Sequence, residues 1–359
     1  MLASALVKHF LLEDKLPKEN IQNLIMGCVL PAGLGQAPAR QVALDGGLDV
    51  GTHAFCLNKV CGSGMASLVH AGLLLSDNPN QIILAGGMES MSRAPYLLDA
   101  RFGFRFGHAK AVDHLMKDGL EDAGSQDPMG LFAEDLAKDM GFSREDQDAY
   151  AVSSAKKALE ANAAGLLKTQ QIEIPLKKGA LTSDEPLGKV NLDKIPELRP
   201  AFKKDGTVTA GNASSLSDGA SLLALTSASL ASQKNVDVRA VLKGWASFST
   251  QPKDFMVAPV HAAESLLKKL DWKAEEVDVW EVNEAFAVVP MAFQKHLDIP
   301  FEKINVWGGA LALGHPLGAS GARIVVNLLH IMESQNKKKG IAAICIGGGE
   351  GLAVALQRP

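Results

Sequence analysis

This chain says one thing twice. "SGMASLVHAGLLL" (63–75) is answered by "SGARIVVNLLH" (320–330), and "ILAGGMES" (83–90) by "ICIGGGEG" (344–351). In both places a turn rich in glycine and serine opens an apolar helix, and a buried strand then closes on glycines. Several elements matching in the same order make an internal duplication the economical explanation. The duplication requires two like halves, each alternating helix with short buried strand, which is the pattern of an α/β architecture.

The rest of the chain falls into that scheme. Residues 22–30, 53–60 and 81–87 read as strands of the first half, with a helix over 64–76. Residues 238–249, 276–282 and 340–349 read as strands of the second, with helices over 262–270 and from "GHPLGASG" (314–321) onward. The first residues, "MLASALVKHFLLEDKLPKEN", read as an amphipathic helix; they lack the basic start and long apolar stretch of a signal peptide. Residues 93–195 break the pattern and read as a long excursion of the kind that carries function or covers a site. Within it Ser143, with Glu145 behind it, reads as the cap of a helix. The expected division is 1–92 for the first half, 93–195 for an inserted loop domain, 196–235 for the return, and 236–359 for the second half.

The repeat also exposes a gap. In the second half the strand at 238–249 precedes the helix at 262–270, whereas Met1 stands almost at the start of the equivalent first helix. The matching strand is missing, and we expect it at the centre of the first sheet. Either the chain lacks an element that its repeat possesses, or its true start lies upstream of Met1; the second is the preferred expectation.

Composition narrows the function. With 47% hydrophobic and 21% charged residues the chain can fill a core, and no apolar run approaches a membrane span. A net charge of −4 gives no electrostatic footprint for nucleic acid or an anionic membrane. The four cysteines, Cys28, Cys56, Cys61 and Cys345, form no CxxC pair and match no zinc spacing, so they read as thiols in a reducing compartment, which we take to be the cytoplasm. Cys28 and Cys56 lie in apolar runs and read as small buried hydrophobes.

Cys61 and Cys345 have glycine-rich neighbours instead. Cys61, in "NKVCGSGM", is expected as the first residue of a helix, where the helix dipole and free backbone N–H groups favour a thiolate and hence a nucleophile. A buried, inert thiol is the equal alternative. His315 lies on the turn that the duplication makes the counterpart of the Cys61 turn, so the two loops are expected to meet as a Cys–His pair; the alternative is a histidine capping local backbone. Cys345 stands at the end of the last buried strand, where α/β sheets place their sites, and suits acid–base work. The glycines after it offer backbone N–H groups to an oxyanion, and Asn283, after the strand at 276–282, could hold a water or an oxygen. A phosphate-loop reading fails, since "GHPLGASG" has no lysine and no GxGxxG links a strand to a helix.

Six motifs together resemble the thiolases: "NKVCGSGM" (58–65), "GGMESMS" (86–92), "TAGNAS" (209–214), "NEAFA" (283–287), "GGALALGHPLGASG" (308–321) and "CIGGGEG" (345–351), in that family's order and across nearly the whole chain. The resemblance implies a duplicated five-layer αβαβα fold with an inserted loop domain, and ping-pong acyl transfer on coenzyme A thioesters. It implies that Cys61 takes the acyl group and that His315 activates it and helps hold the thioester oxygen. Cys345 would move the proton of the second acetyl-CoA, and Asn283 would place the water of the enolate hole. The backbone N–H groups of Cys61 and Gly347 would hold the tetrahedral oxyanion, and Met129, Ser214 and Phe286 would line the acyl–pantetheine tunnel. Lys189 is the nearest basic candidate for the coenzyme A nucleotide. The implied partners are acetyl-CoA, acetoacetyl-CoA and CoA, the implied assembly a homotetramer built as a dimer of dimers, and neither a metal nor a redox cofactor is expected. Phe132, Asp135, Trp307 and Pro128 depart from the family's usual residues, which bears on chain length. A short-chain acetyl-CoA C-acetyltransferase is the first reading. A 3-ketoacyl-CoA thiolase for longer chains is the second, and an inactive thiolase-like subunit lacking its first strand is the reading from another class.

Overall fold

The computed structural model describes residues 2–13, 16–176 and 178–359. The first half runs α1 (Leu2–Leu12), β1 (Ile21–Gly27), α2 (Pro38–Gly46), β2 (His53–Leu57), α3 (Ser63–Asp77) and β3 (Ile82–Ser90). The excursion holds the short strands β4 (Tyr96–Leu97) and β5 (Val112–Asp113), the helices α4 (Met129–Met140) and α5 (Arg144–Ala163), and the hairpin strands β6 (Ile174–Pro175) and β7 (Ala180–Leu181). The chain returns as β8 (Asp218–Thr226) and α6 (Ala228–Gln233). The second half runs β9 (Val241–Ser249), α7 (Ala258–Leu270), β10 (Val279–Val282), α8 (Val288–Leu297), α9 (Ala310–Leu313), α10 (Leu317–Ser334), β11 (Lys339–Ile346) and β12 (Glu350–Gln357).

Two four-stranded sheets form, in the orders β2-β1-β3-β8 and β10-β11-β12-β9. In each, the last strand of the half runs antiparallel to the strand before it in that sheet, β8 against β3 and β12 against β11. Helices α3 and α10 lie between the sheets, each touching both, while α1 and α2 cover the first sheet's outer face and α7 packs against the second. This is the layered αβαβα arrangement that the resemblance to the thiolases implies. Central helices must be apolar nearly all round, and α10 buries Leu317, Ile324, Val325, Leu328, Ile331 and Met332. The two helices approach to backbone contact at repeat counterparts. A Cβ on Gly64 would lie 2.8 Å from the Ala322 nitrogen, and one on Gly321 would lie 2.5 Å from the Met65 nitrogen.

The position expected for the missing strand needs correction. Its counterpart β9 is not central; it pairs with the outer side of β12, because both sides of β11 are taken by β10 and β12. The equivalent place in the first sheet is the outer edge of β8, and among the described residues no strand lies there. The interior pairings of β1 with β2 and β3 are therefore complete.

Smaller differences have local causes. The Ser143 hydroxyl accepts from the Asp146 N–H and the Asp146 carboxylate accepts from the Ser143 N–H, so the reciprocal cap of α5 uses Asp146 and not Glu145. Cys28 is buried as expected, but Cys56, on the edge strand β2, is only half-buried. No described helix is long and apolar enough to cross a membrane.

Candidate active site

Cys61 lies just before α3 and is not its first residue. Lys59 and Val60 form a tight turn in which Gly62 N–H donates to Lys59 O (3.0 Å) and Ser63 N–H donates to Val60 O (3.0 Å). The Ser63 hydroxyl closes it, accepting from Lys59 N–H (2.8 Å) and donating to Val60 O (2.6 Å). Val60 sits at φ 45, a left-handed conformation that a β-branched residue adopts only under strain. The turn delivers Cys61 into the central layer, where it is 9% exposed.

That burial overturns the expectation of a resting thiolate. Loss of water pushes the Cys61 thiol up to about 12; the Gly347 N–H and its own N–H, both aimed at the sulfur, pull the other way and do not offset it. Cys61 is therefore a neutral thiol at rest and needs a base.

His315 supplies a suitable one. Gly314 at φ 90 turns the chain, and His315 N–H donates to Ser215 O (3.1 Å). Its Nδ1 lies 2.6 Å from the Ser320 hydroxyl, and that hydroxyl donates its single proton to Pro316 O (2.8 Å). Ser320 can then only accept from the ring, which assigns the proton to Nδ1 and leaves a lone pair on Nε2. Nε2 is buried without a partner among the described residues. Burial first, and the nearby Arg323 second, push the imidazole down to about 3, so it is neutral and ready to accept.

Cys345 and Asn283 end neighbouring parallel strands. Asn283 N–H donates to Ala343 O (3.0 Å), two residues before Cys345. Both atoms of the Asn283 side-chain amide are buried and unpaired among the described residues, so a polar group or water must meet them. Cys345 is fully buried, and its thiol is raised far above the ordinary range by burial and then by the adjacent Cys61. The two sulfurs thus oppose each other's ionisation. Gly347 is placed so that a Cβ there would lie 3.6 Å from Val60 and 3.7 Å from the Met129 sulfur.

Backbone pairing joins the remaining candidates. Ala213 and Phe286 form an isolated bridge, and Ser214 N–H donates to Ala285 O (3.0 Å), while the neighbouring Ser215 holds His315. Ser214, Phe286, Asn283 and His315 are thus one backbone-linked group; Cys61 and Met129 gather around Gly347, two residues after Cys345, and β10 against β11 ties the two sets. Lys189 is different: it is exposed at the end of the short helix 185–189, and among the described residues no side-chain hydrogen bond or ion pair joins it to this cluster.

Three polar residues escaped notice in the sequence. Ser320, inside the "GASG" turn, orients His315. Glu284 is fully buried and accepts from Tyr150 (2.9 Å), Ser154 (2.7 Å), Asn305 (2.9 Å) and Leu311 N–H (3.1 Å), which pins the loop beside Asn283. Glu89 is 4% exposed. A charged residue inside an otherwise apolar motif, as in "NEAFA" and "GGMES", was the available signal. A cavity of about 500 Å³ opens beside Glu284 between α5 and α8, but Cys61, His315 and Cys345 do not line it.

The chain matches the family models for the N-terminal domain of thiolase over residues 1–229 and the C-terminal domain over residues 236–358. Proteins named probable acetyl-CoA acyltransferase from Staphylococcus aureus strains COL and NCTC 8325 / PS 47 are each 44% identical to it over 364 residues, covering 99% of this chain and 92% of theirs. Among solved structures, the Acat5 thiolase from Ascaris suum in complex with coenzyme A is 39% identical with a TM-score of 0.94, covering 100% of this chain and 93% of that one. The acetyl-CoA acetyltransferase of Bacillus anthracis is 33% identical with a TM-score of 0.95, covering 100% and 92%.

Proposed function

This chain belongs to the thiolase family and is an acyltransferase acting on acetyl-CoA, and we propose that it joins two acetyl-CoA molecules into acetoacetyl-CoA and CoA, or runs the reverse thiolysis, through an acyl group on Cys61. The observation that carries the reading is the His315–Ser320 pair, which leaves Nε2 unprotonated, buried and without a partner among the described residues, in a chain whose Cys61 is a neutral, buried thiol that needs a base.

The proposed steps are these. As the thioester arrives, Nε2 of His315 takes the Cys61 proton and the sulfur attacks the carbonyl carbon. Negative charge passes to the carbonyl oxygen, where the Cys61 and Gly347 N–H groups receive it; one such donor is worth about 3–4 kcal/mol. The carbon–sulfur bond to CoA breaks, His315 returns the proton to the departing thiol, and acyl-Cys61 remains. With Cys61 acylated, the lone pair on Nε2 of His315 is free again and takes the Cys345 proton. The Cys345 thiolate then takes an α-proton from a second acetyl-CoA. The enolate oxygen accepts from the Nε2–H of His315 and from a water on the unpaired Asn283 amide, the enolate carbon attacks acyl-Cys61, its carbon–sulfur bond breaks, and the Cys61 thiolate takes the proton back from His315 as acetoacetyl-CoA leaves. Met129, Ser214 and Phe286 line the path of the acyl–pantetheine chain. Lys189 keeps only the status of a candidate for the nucleotide end.

Short-chain substrates are the favoured reading, supported by the acetyltransferase name of the Bacillus anthracis neighbour. The exposed aromatics Phe102, Phe104 and Phe106, between β4 and β5, support a homotetramer assembled through that segment. Incubation with acetyl-CoA followed by peptide mass spectrometry should find acetyl on Cys61. Thiolysis of acetoacetyl-CoA should outrun that of longer 3-ketoacyl-CoA substrates. Acetyl on another residue would sink the mechanism, and faster turnover of long chains would sink the substrate assignment.

A further inference from the structure

Duplication makes two equivalent helix N-termini, at α3 and at α10. Cys61 and Gly318 are counterparts, each three residues before the paired glycines Gly64 and Gly321. A helix N-terminus with free N–H groups attracts an anion, so the chain has inherited two such sites, and they are treated differently. At α10 the place is already taken. Glu89, near the end of β3, sends its Oε2 to Gly318 N–H (2.8 Å) and Val29 N–H (3.0 Å) and its Oε1 to Leu30 N–H (3.1 Å). Cys28 Sγ lies 3.9 Å from Oε1. The fit is close: a Cβ on Gly318 would lie 2.9 Å from Oε2 and 2.8 Å from Met88 O. One carboxylate therefore holds the turn after β1 in the first half and the first turn of α10 in the second. The same first turn carries Ser320, which holds His315 by Nδ1.

We infer that Glu89 is a positioning residue for this site: by filling the N-terminus of α10 it locks Ser320 and His315 in place across the two halves, and it leaves the duplicate N-terminus at Cys61 as the one that receives the thioester. The inference rests on the acyl-Cys61 reading above. Glu89 touches neither Cys61 nor Cys345 and no proposed substrate position, so it acts on His315 through Gly318 and on Cys61 through its charge alone. Its neutral isostere is a poor substitute for a simple reason. All three backbone partners are donors, so a glutamine in either orientation sets its NH2 group against an N–H.

The test uses the full chain with Glu89→Gln and Glu89→Asp. Two readouts are taken, the rate and KM of Cys61 acetylation by acetyl-CoA and the pH profile of Cys61 alkylation by iodoacetamide. Glu89→Gln should slow acetylation about ten- to a hundredfold, the scale of a charge-assisted hydrogen bond, with KM changed less than twofold. Its alkylation profile should move to lower pH, because the negative charge that helps hold the Cys61 thiol up is gone. His114, Cys28 and Cys56 also lie in the field of this carboxylate and are unchanged in both variants. Glu89→Asp keeps the charge but is shorter, so it should slow acetylation less and leave the alkylation profile where it was; this arm stands if the glutamine variant does not fold. Acetylation of Glu89→Gln within twofold of the natural protein would overturn the inference. So would equal slowing in both variants, in step with lost thermal stability and without a shift in the alkylation profile. If the natural protein takes no acetyl on Cys61, the acyl-enzyme reading fails, and the alkylation profiles still decide the role of Glu89.

Discussion

Removing the Ser320 hydroxyl tests whether the imidazole is a base because of where its proton sits. In Ser320→Ala the Nδ1–H loses an acceptor at 2.6 Å, inside a residue only 6% exposed. Pro316 O is not orphaned, since it still accepts from the backbone N–H of residue 320 at 2.9 Å. The deficit therefore falls on the histidine. Either Nδ1–H stays and is buried unpaired, at a cost of about 1–3 kcal/mol, or the proton moves to Nε2 and the lone pair that should accept from Cys61 is lost. The first outcome corresponds to roughly a five- to 150-fold slower acylation. Loss of the whole base in His315→Ala sets the ceiling, at about 10²–10⁴-fold. Rapid-quench measurement of acetyl-Cys61 at saturating acetyl-CoA gives the rate directly, and Ser320→Ala should fall between the natural protein and His315→Ala. Acylation within twofold of the natural rate, at unchanged melting temperature, would refute the argument that Ser320 fixes the tautomer.

Other consequences follow from the same geometry. Cys345→Ala should still accept acetyl on Cys61 yet make no acetoacetyl-CoA, so labelled enzyme should accumulate; normal turnover would remove Cys345 from the mechanism. With the Cys61 thiol pushed up to about 12, alkylation of the free protein should climb about tenfold per pH unit from 7 to 10, and a plateau below pH 9 would contradict the burial argument. His315 is held down to about 3, below the ordinary 6.5, so the unfolded chain binds the extra proton between those values. Its contribution to stability is full above pH 6.5 and is lost as pH falls towards 3; in a melting series the acid-side loss should shrink in His315→Gln. Gly64→Ala should lower the melting temperature by the equivalent of about 1–3 kcal/mol, since the new Cβ would meet the α10 backbone at 2.8 Å.

Much of the fold was legible because it rests on local pattern. Glycine-opened apolar helices and strands ending in glycines are properties of short stretches, and repeating them twice reveals the halves. Boundaries slipped where tertiary pairing decides them: β1 ends at Gly27 and not at residue 30, since Val29 and Leu30 turn away to donate to Glu89. The strand without a counterpart was expected at the centre of a sheet, whereas β9 lies at an edge, because a sequence shows which strand stands alone and not which neighbour it takes. Within the site, Cys61, His315, Cys345 and Asn283 stood out by residue type and glycine-rich or strand-end setting. Ser320 and Glu89 did not, as their meaning lies in partners five and more than two hundred residues away.

The sequence by itself determined the duplication, the order of the elements and the chemical types at the ends of the strands, since each is written in residues close together. Only the tertiary structure decided how those groups behave. Burial in the central layer turned an expected thiolate into a neutral thiol, a hydroxyl one helical turn away chose the histidine tautomer, and a carboxylate from the other half closed one of two matching helix ends. Dielectric, hydrogen-bond partners and the field of distant charges depend on what packs around a residue, and packing is set by the whole chain.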